Sequence, residues 1–123
     1  QPALAEFLRE GHLLRYLRRV RPVYAARKKA VLEALATLFP QELEVAPSGA
    51  GLHLTGLFTP HLAARLTDRE ASARSRAVGN FIQPLSQCYV GPPDRQGLII
   101  GFGRLPEEEA MPRLARVAEA LHA

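Results

Sequence analysis

The chain has 123 residues, of which 47% are hydrophobic and 23% are charged, and its formal net charge is +4. This length and composition fit one globular, soluble domain with a single core. Its apolar stretches fall far short of the roughly 20 residues that cross a bilayer, so we expect no membrane association. The single Cys88 excludes an internal disulfide and a cysteine metal cluster, and it favours a reducing cytoplasm.

The N-terminal segment is acidic at Glu6 and Glu10 and has no cationic start, which is unlike a signal peptide. It also begins without methionine, and we expect the chain to be part of a longer protein. Eight of the sixteen cations lie between Arg9 and Lys29. Such a basic stripe can meet nucleic acid or an acidic surface, although a solvated helix face is the simpler interpretation.

The predicted elements alternate between helices and short strands. Apolar residues at spacings of three and four predict a long first helix, with a kink or break near Arg21 because Pro22 lacks a backbone donor. The sequence TDRE predicts a capping box, and Gly79 should end the helix that follows. In order, we predict a helix at 3–39, followed by strands at 43–46 and 51–58 around a turn at 47–49. A short helical turn at 61–66 and a helix at 68–78 come next. Strands at 80–84 and 97–102 around a loop follow, and a helix at 106–122 ends the chain.

This order predicts an α+β fold in which helices cover one side of a small mixed or antiparallel sheet. In the last helix, the apolar stripe is predicted to contain Met111, Leu114, Val117 and Leu121. Pro112 should bend this helix or mark its first turn.

Few residues have the spacing of a catalytic or metal site. The four histidines lack the spacing of metal ligands, and His53 on an apolar strand is more simply a packed or surface side chain. Ser48 reads as a turn residue and Cys88 as an inert thiol. The GFG at 101–103 lacks the full dinucleotide-binding spacing. We therefore predict no catalytic residue and no metal site in this chain.

Four segments of the chain resemble the sequence patterns of one known family. FLREGHLLRYLRRVRPVYAARKKAVLEAL (7–35) resembles a signature of the MocR-type regulators, which are GntR-family transcription factors with an aminotransferase-like domain. Three later segments resemble family patterns in the same order: SGAGLHL (48–54), VGNFIQPLSQCYVG (78–91) and GLIIGFGRLPEEE (97–109). Tyr16, Val20 and Pro22 depart from the signature. The residues that match it are Phe7, Gly11, His12, Arg15, Arg18, Arg19, Arg21, Tyr24 and Arg27.

The resemblance implies a parent protein with an N-terminal winged-helix DNA-binding domain and a fold-type-I aminotransferase-like domain. The large part of that domain would bind pyridoxal phosphate through a lysine. This chain would be the small C-terminal domain, 1–123, with a docking helix at 1–39 and an α+β body at 40–123. Its partners would be the large domain, a second copy in a homodimer, and DNA through the absent N-terminal domain. No cofactor is expected in this chain alone, because Lys28 and Lys29 are its only lysines and both fall in the arginine-rich helix.

In fold-type-I aminotransferases the small domain supplies an arginine for the substrate carboxylate, because a planar guanidinium pairs with both oxygens. The resemblance places it at the opening of the strand GLIIGF, which carries no arginine here. Arg95 and Arg104 flank this strand and are the nearest substitutes. Gly49 and Gly51 are candidates for close backbone approach to a ligand. Arg18, Arg19 and Arg21 are the predicted docking cations.

The leading hypothesis is effector sensing in a GntR/MocR-type regulator, with a chain that is not catalytic by itself. The small domain of a genuine pyridoxal-phosphate-dependent aminotransferase is the second hypothesis. A basic nucleic-acid-binding module is the third, because the first helix concentrates arginines.

Overall fold

The computed structural model of the chain describes residues 2–46, 51–80, 82–88 and 95–122. Its elements, in order, are α1 (Pro2–Leu38), β1 (Leu43–Val45), β2 (His53–Phe58), α2 (Pro60–Ala63), α3 (Asp68–Ala77), β3 (Gln83–Pro84), a 3-10 turn (Leu85–Cys88), β4 (Gly97–Gly101) and α4 (Glu107–His122). The predicted α+β class is confirmed. The turn predicted at 47–49 and most of the loop before β4 lie outside the described residues.

The four strands form one sheet in the order β1-β2-β4-β3, and every neighbouring pair is antiparallel. The prediction of a mixed or antiparallel sheet therefore resolves to the antiparallel case. Thr55 of β2 lies opposite Ile99 of β4, and Ile99 lies opposite Gln83 of β3. These three residues form one row across the sheet.

One face of the sheet is covered and the other is not. Side chains along β2 alternate between buried and partly exposed, and Leu54 and Phe58 are on the buried side. They join Leu98 and Ile100 of β4 in a core with the helices. Because successive strand residues point to opposite faces, the row of Thr55, Ile99 and Gln83 lies on the uncovered side. We call this side, with the neighbouring Leu57, the open face.

The long α1 has a buried half and an exposed half. Val31, Ala34 and Leu35 are completely or almost completely buried, and α1 packs mainly against α4. Pro22 lies inside the helix and does not end it. Of the two alternatives predicted near Arg21, a kink or a break, the break is therefore wrong. Pro22 has no N–H to donate to the Arg18 carbonyl, which therefore lacks its helical hydrogen bond. Both residues are exposed, so water can bind that carbonyl.

In α4, burial follows a stripe shifted slightly from the predicted one. The buried residues are Ala110, Leu114, Val117, Ala118 and Leu121, whereas Met111 is 41% exposed. Including Met111 in the stripe was therefore wrong, because the core lies on the side of Ala110. Pro112 is the sixth residue of a helix that begins at Glu107, so it does not mark the first turn.

The ends of α3 confirm the predicted Gly79 cap and the Thr67 half of the predicted capping box, but not its Glu70 half. The Thr67 hydroxyl accepts a hydrogen bond from the Glu70 N–H at 3.1 Å, and the Glu70 carboxylate accepts from that hydroxyl at 3.2 Å instead of from the Thr67 backbone. At the other end Gly79 has a φ of +85°. Its N–H donates to the Arg76 carbonyl and the Asn80 N–H donates to the Ser75 carbonyl, which together make a Schellman cap.

The third strand is shorter than predicted. Within the described part of 80–84, only Gln83 and Pro84 pair with β4. The Asn80 N–H is engaged in the helix cap, and Pro84 has no N–H to continue a ladder. The 3-10 turn that follows was not predicted.

Gly97 opens β4 where the backbone of β2 approaches most closely. A Cβ atom at Gly97 would lie 2.7 Å from the Gly56 carbonyl oxygen and 3.2 Å from Leu85 Cδ2. We expect Gly97→Ala to lower the free energy of unfolding by about 2–3 kcal/mol, because backbone must move to relieve the overlap. Urea unfolding followed by circular dichroism measures the change.

The matched control is Gly11→Ala. A Cβ at Gly11, inside α1, meets nothing within 4 Å, and alanine favours the helix by up to about 1 kcal/mol. We expect this variant to be as stable as the parent sequence or more so. Equal unfolding midpoints for Gly97→Ala and the unsubstituted chain would contradict the steric account.

Candidate functional site

The two arginines that flank β4 lie at opposite ends of that strand. Arg95 precedes Gly97, Arg104 follows Gly101, and both side chains are exposed. A five-residue strand spans about 13 Å at roughly 3.3 Å per residue. The structure therefore does not bring Arg95 and Arg104 together, and one ligand carboxylate cannot contact both. They are alternatives for a carboxylate contact.

A cleft of about 510 Å³ lies at the end of β4 that carries Arg104. Its polar residues are Arg104, Arg113, His53 and Asn80. Its remaining lining is mainly apolar and consists of Leu52, Ile82, Ile100, Leu105 and Leu114, with the glycines Gly79, Gly101 and Gly103. We call this feature the Arg104 cleft. It combines two guanidinium groups with an apolar floor.

The turn that carries Arg104 is held by backbone contacts. The Phe102 N–H donates to the Leu52 carbonyl at 2.8 Å, and the Leu105 N–H donates to the Phe102 carbonyl at 3.3 Å. The Arg27 guanidinium of α1 donates to the carbonyl of Gly103, and it also lies 5.8 Å from the centroid of the Tyr24 ring. The turn is thus bonded both to the residue that precedes β2 and to α1.

The opposite wall joins α3 to α4. The Asn80 side-chain amide donates to the Arg113 carbonyl at 3.4 Å. The Arg113 guanidinium lies 3.3 Å from a carboxylate oxygen of Glu109, and both side chains are nearly half exposed. Ion pairs that are this exposed contribute little to stability, so either side chain can readily leave the pair for another partner. Arg113 is therefore available to a ligand in the cleft.

A buried carboxylate that sequence reasoning missed lies near the other end of β4. Asp68 is 1% exposed and accepts hydrogen bonds from the Ser86 N–H at 2.8 Å, the Ser86 hydroxyl at 2.6 Å and the Gly97 N–H at 3.2 Å. Its own N–H donates to the Gln96 side chain at 2.7 Å. These contacts occupy both carboxylate oxygens, so Asp68 fixes structure. Its partners are 18 and 29 residues away, and no local pattern indicates them.

The other predicted site residues are not gathered at one place. Gly51 is exposed with a φ of +144°, and a Cβ there would meet nothing within 4 Å. Gly49 lies outside the described residues. The predicted docking cations Arg18, Arg19 and Arg21 are exposed on α1.

The described ranges contain neither a metal cluster nor a membrane span. In these ranges, no group of three or more His, Cys, Asp or Glu side chains is arranged to hold a metal ion. None of the described helices is both long and apolar enough to cross a membrane.

The lysines do not form a cofactor site. Lys28 is half-buried and Lys29 exposed, both on α1, and neither borders the Arg104 cleft. They also lie on a different element from the open face. The structure thus places neither lysine beside the Arg104 cleft or on the open face.

Sequence comparison finds relatives among transcriptional regulators. The chain is 32% identical over 102 residues to the probable rhizopine catabolism regulatory protein MocR of Rhizobium meliloti, covering 83% of this chain and 20% of that protein. It is 28% identical over 110 residues to the uncharacterized HTH-type transcriptional regulator YhdI of Bacillus subtilis, covering 89% of this chain and 22% of that protein. The chain thus spans about a fifth of the length of these curated relatives. No protein-family model matches the chain.

Structural comparison finds aminotransferases. LysN, the α-aminoadipate aminotransferase of Thermus thermophilus, superposes with a TM-score of 0.77 at 23% identity, over 97% of this chain and 29% of that chain. The kynurenine aminotransferase of Pyrococcus horikoshii also gives a TM-score of 0.77, at 19% identity, over 94% of this chain and 28% of that chain.

The chain therefore has the fold of the small C-terminal domain of fold-type-I aminotransferases. Its sequence relatives are MocR and other HTH-type regulators, so the predicted resemblance to the aminotransferase-like domain of MocR-type regulators is confirmed.

Proposed function

We propose that this chain is the small-domain part of an effector-sensing, aminotransferase-like domain in a GntR/MocR-type regulator. The observation that carries the proposal is the pairing of HTH-regulator relatives over most of the chain with an aminotransferase small-domain fold. In this proposal 1–39 is the docking helix and 40–123 is the α+β body. The chain has no catalytic centre of its own.

Pyridoxal phosphate binds, in this proposal, to the large domain of the parent protein. The LysN structure, solved with N-(5'-phosphopyridoxyl)-L-leucine, supports this cofactor class for the fold. When bound, the cofactor supplies the electron sink for amino-group chemistry. The parent binds DNA through an N-terminal domain, as the HTH names of the relatives suggest, and works as a cytoplasmic homodimer.

The open face is the surface that we assign to the large domain and its ligand. Thr55, Leu57 and Ile99 are only partly buried. Among the described residues, the core that the sheet forms with the helices lies on the opposite side, with Leu54, Leu98 and Ile100. Uncharged side chains that stay partly exposed, two of them aliphatic, suit a surface that a neighbouring domain covers. Arg95 precedes the strand on which the resemblance places the carboxylate contact. We therefore assign the effector carboxylate to Arg95, because Arg104 lies at the far end of β4.

The exposed half of α1 is assigned to docking. Large apolar side chains are exposed there, with Leu13 at 56% and Leu14 at 55%. Arg18, Arg19 and Arg21 are interleaved with them and are also exposed. In this proposal the large domain covers these apolar residues, and its acidic groups lie near the arginines. Docking thus removes an exposed apolar patch of a kind that soluble monomeric proteins rarely have.

A genuine aminotransferase containing this small domain is the second candidate. The superposition on two aminotransferases favours it, but both are below 25% identity and speak for the fold alone. The sequence relatives are regulators. A nucleic-acid-binding module is the third candidate, and only the exposed arginines of α1 favour it.

We expect deletion of 40–123 from the intact parent to abolish its effector response while DNA binding remains. The reason is that sensing requires the small domain, whereas DNA contact belongs to another domain. The measurement is fluorescence anisotropy with a DNA fragment that the parent selects from a random pool, titrated with amines and amino acids in the presence of pyridoxal phosphate.

A point variant tests whether Arg95 contacts the effector carboxylate. Arg95→Leu should weaken the response to a carboxylate-bearing effector about tenfold, since a charge-assisted contact is lost. Arg69→Leu, at an exposed arginine in the first turn of α3, is the matched control and should respond normally. A deletion variant that still responds contradicts the proposal. An intact parent that transaminates without binding DNA supports the aminotransferase instead.

The proposed role of α1 predicts how the 123-residue chain behaves alone. We expect it to self-associate through the exposed apolar residues, at about 25 cal/mol per Å² buried. Leu14→Ser with Leu17→Ser should shift sedimentation toward monomer. Met111→Ser, which changes an apolar residue of similar exposure on α4, should not.

Binding of this chain to DNA should be weak and indifferent to sequence. Its affinity should fall steeply between 50 mM and 200 mM salt, as released counterions require. A chain that stays monomeric and holds one DNA sequence tightly at about 150 mM salt would overturn the docking role and favour the nucleic-acid module.

A further inference from the structure

We propose that the Arg104 cleft is a binding site for a small organic carboxylate with an apolar body, separate from the effector contact assigned to Arg95. The proposal concerns the end of β4 beyond Gly101. It does not rest on the proposed function, because an enzyme or a regulator could carry such a site.

Charge at the cleft points to an anion. Arg104 and Arg113 both border it, and no Asp or Glu is among its lining residues. Within the described ranges Arg104 makes no hydrogen bond or ion pair. In the same ranges the Arg113 guanidinium contacts the Glu109 carboxylate at 3.3 Å, and both side chains are nearly half exposed. Two guanidinium groups beside one cavity, with little local compensation, attract and orient an oxyanion.

The floor of the cleft points to a ligand with an apolar part. Ile100 and Leu114 are 3% exposed, Ile82 is 6% exposed and Leu105 is 8% exposed, and all four border the cavity. Its volume of about 510 Å³ lies within the range of roughly 300–1,000 Å³ that is typical of small-molecule sites. These four side chains are already buried, but Leu52 also borders the cavity and is 39% exposed. An apolar part of a ligand would cover Leu52, whereas an inorganic anion would not.

The walls of the cleft are held by hydrogen bonds within the chain. Gly79 and Asn80 are held by the Schellman cap of α3, and Asn80 is bonded to α4 through the Arg113 carbonyl. The turn on the other side is held by the bond from Arg27 to the Gly103 carbonyl. Because these segments are bonded in advance, a ligand does not have to order them, and this lowers the entropic cost of binding.

The available donors favour a carboxylate over a phosphate. The backbone N–H groups of Gly79, Asn80 and Leu105 already have carbonyl partners, so they cannot form a phosphate cradle. The guanidinium groups of Arg104 and Arg113 are the charged donors that border the cleft, and their paired N–H donors suit the two oxygens of a carboxylate. His53 borders the same cavity and adds one ring nitrogen. A cationic amine would face two like charges.

Nuclear magnetic resonance titration of the 15N-labelled chain tests the proposal, with 4-phenylbutyrate as the probe. We expect shifts centred on the amides of Gly79, Gly101, Gly103 and Arg104, with a Kd on the order of a millimolar for so small a ligand. The neutral 4-phenylbutyramide should bind at least about tenfold more weakly, because it lacks the charge that the arginines recognise.

Two variants assign the contacts. Arg104→Gln and Arg113→Gln should each weaken 4-phenylbutyrate binding about tenfold, the loss expected for one charge-assisted contact. Arg116→Gln, at an exposed arginine on α4 that does not border the cleft, should bind as the unsubstituted chain does. Because all three residues are exposed, the spectra should show an unchanged fold.

Four results would overturn the site. These are shifts centred elsewhere, equal binding of the amide, an equal loss in Arg116→Gln, and inorganic phosphate shifting the same amides with higher affinity. The last result would assign the cleft to phosphate. Failure here leaves the role of Arg95 untouched, because that role is measured in the intact parent.

Discussion

The buried carboxylate of Asp68 is the contact on which the arrangement of the sheet depends. It joins the first residue of α3 to the 3-10 turn through Ser86 and to the start of β4 through Gly97. Each N–H left without a partner in a buried place costs about 1–3 kcal/mol, so this carboxylate strongly favours one position for β4. Gly97 then lies so close to the Gly56 carbonyl that no side chain fits. Together these constraints fix the strand whose two ends carry Arg95 and Arg104.

With β4 held in this position, the domain has three distinct surfaces. The covered face of the sheet joins α1 and α4 in the core. The open face, with Thr55 and Ile99, is left for a neighbouring domain. The Arg104 cleft lies beyond Gly101, at the end of the strand away from Arg95. A domain with one covered face, one open face and one exposed half-helix is suited to serve as part of a larger assembly, which agrees with its match to about a fifth of each regulator relative.

Local signals in the sequence predicted the local structure well. The TDRE box and Gly79 fixed both ends of α3, because caps depend on residues within one turn. The helix at α1 was predicted with either a kink or a break near Arg21, and the sequence did not decide between them. The helix continues through Pro22, since an exposed carbonyl can be hydrated and the cost of the proline is then reduced. The burial of Ala110 in place of Met111 depends on which side of α4 meets the sheet. The Asp68 contacts and the Arg104 cleft join residues from distant segments, and no single segment indicates them.

The central claim is that this chain works only as part of a parent whose cofactor lies elsewhere. Borohydride reduction in the presence of pyridoxal phosphate, followed by peptide mapping, tests it most directly when it is applied to both the chain and the intact parent. The account predicts that the parent is labelled at a lysine outside these 123 residues and that the chain alone shows no stable aldimine band. A stable band in the chain alone that disappears on reduction and maps to Lys28 or Lys29 would contradict it.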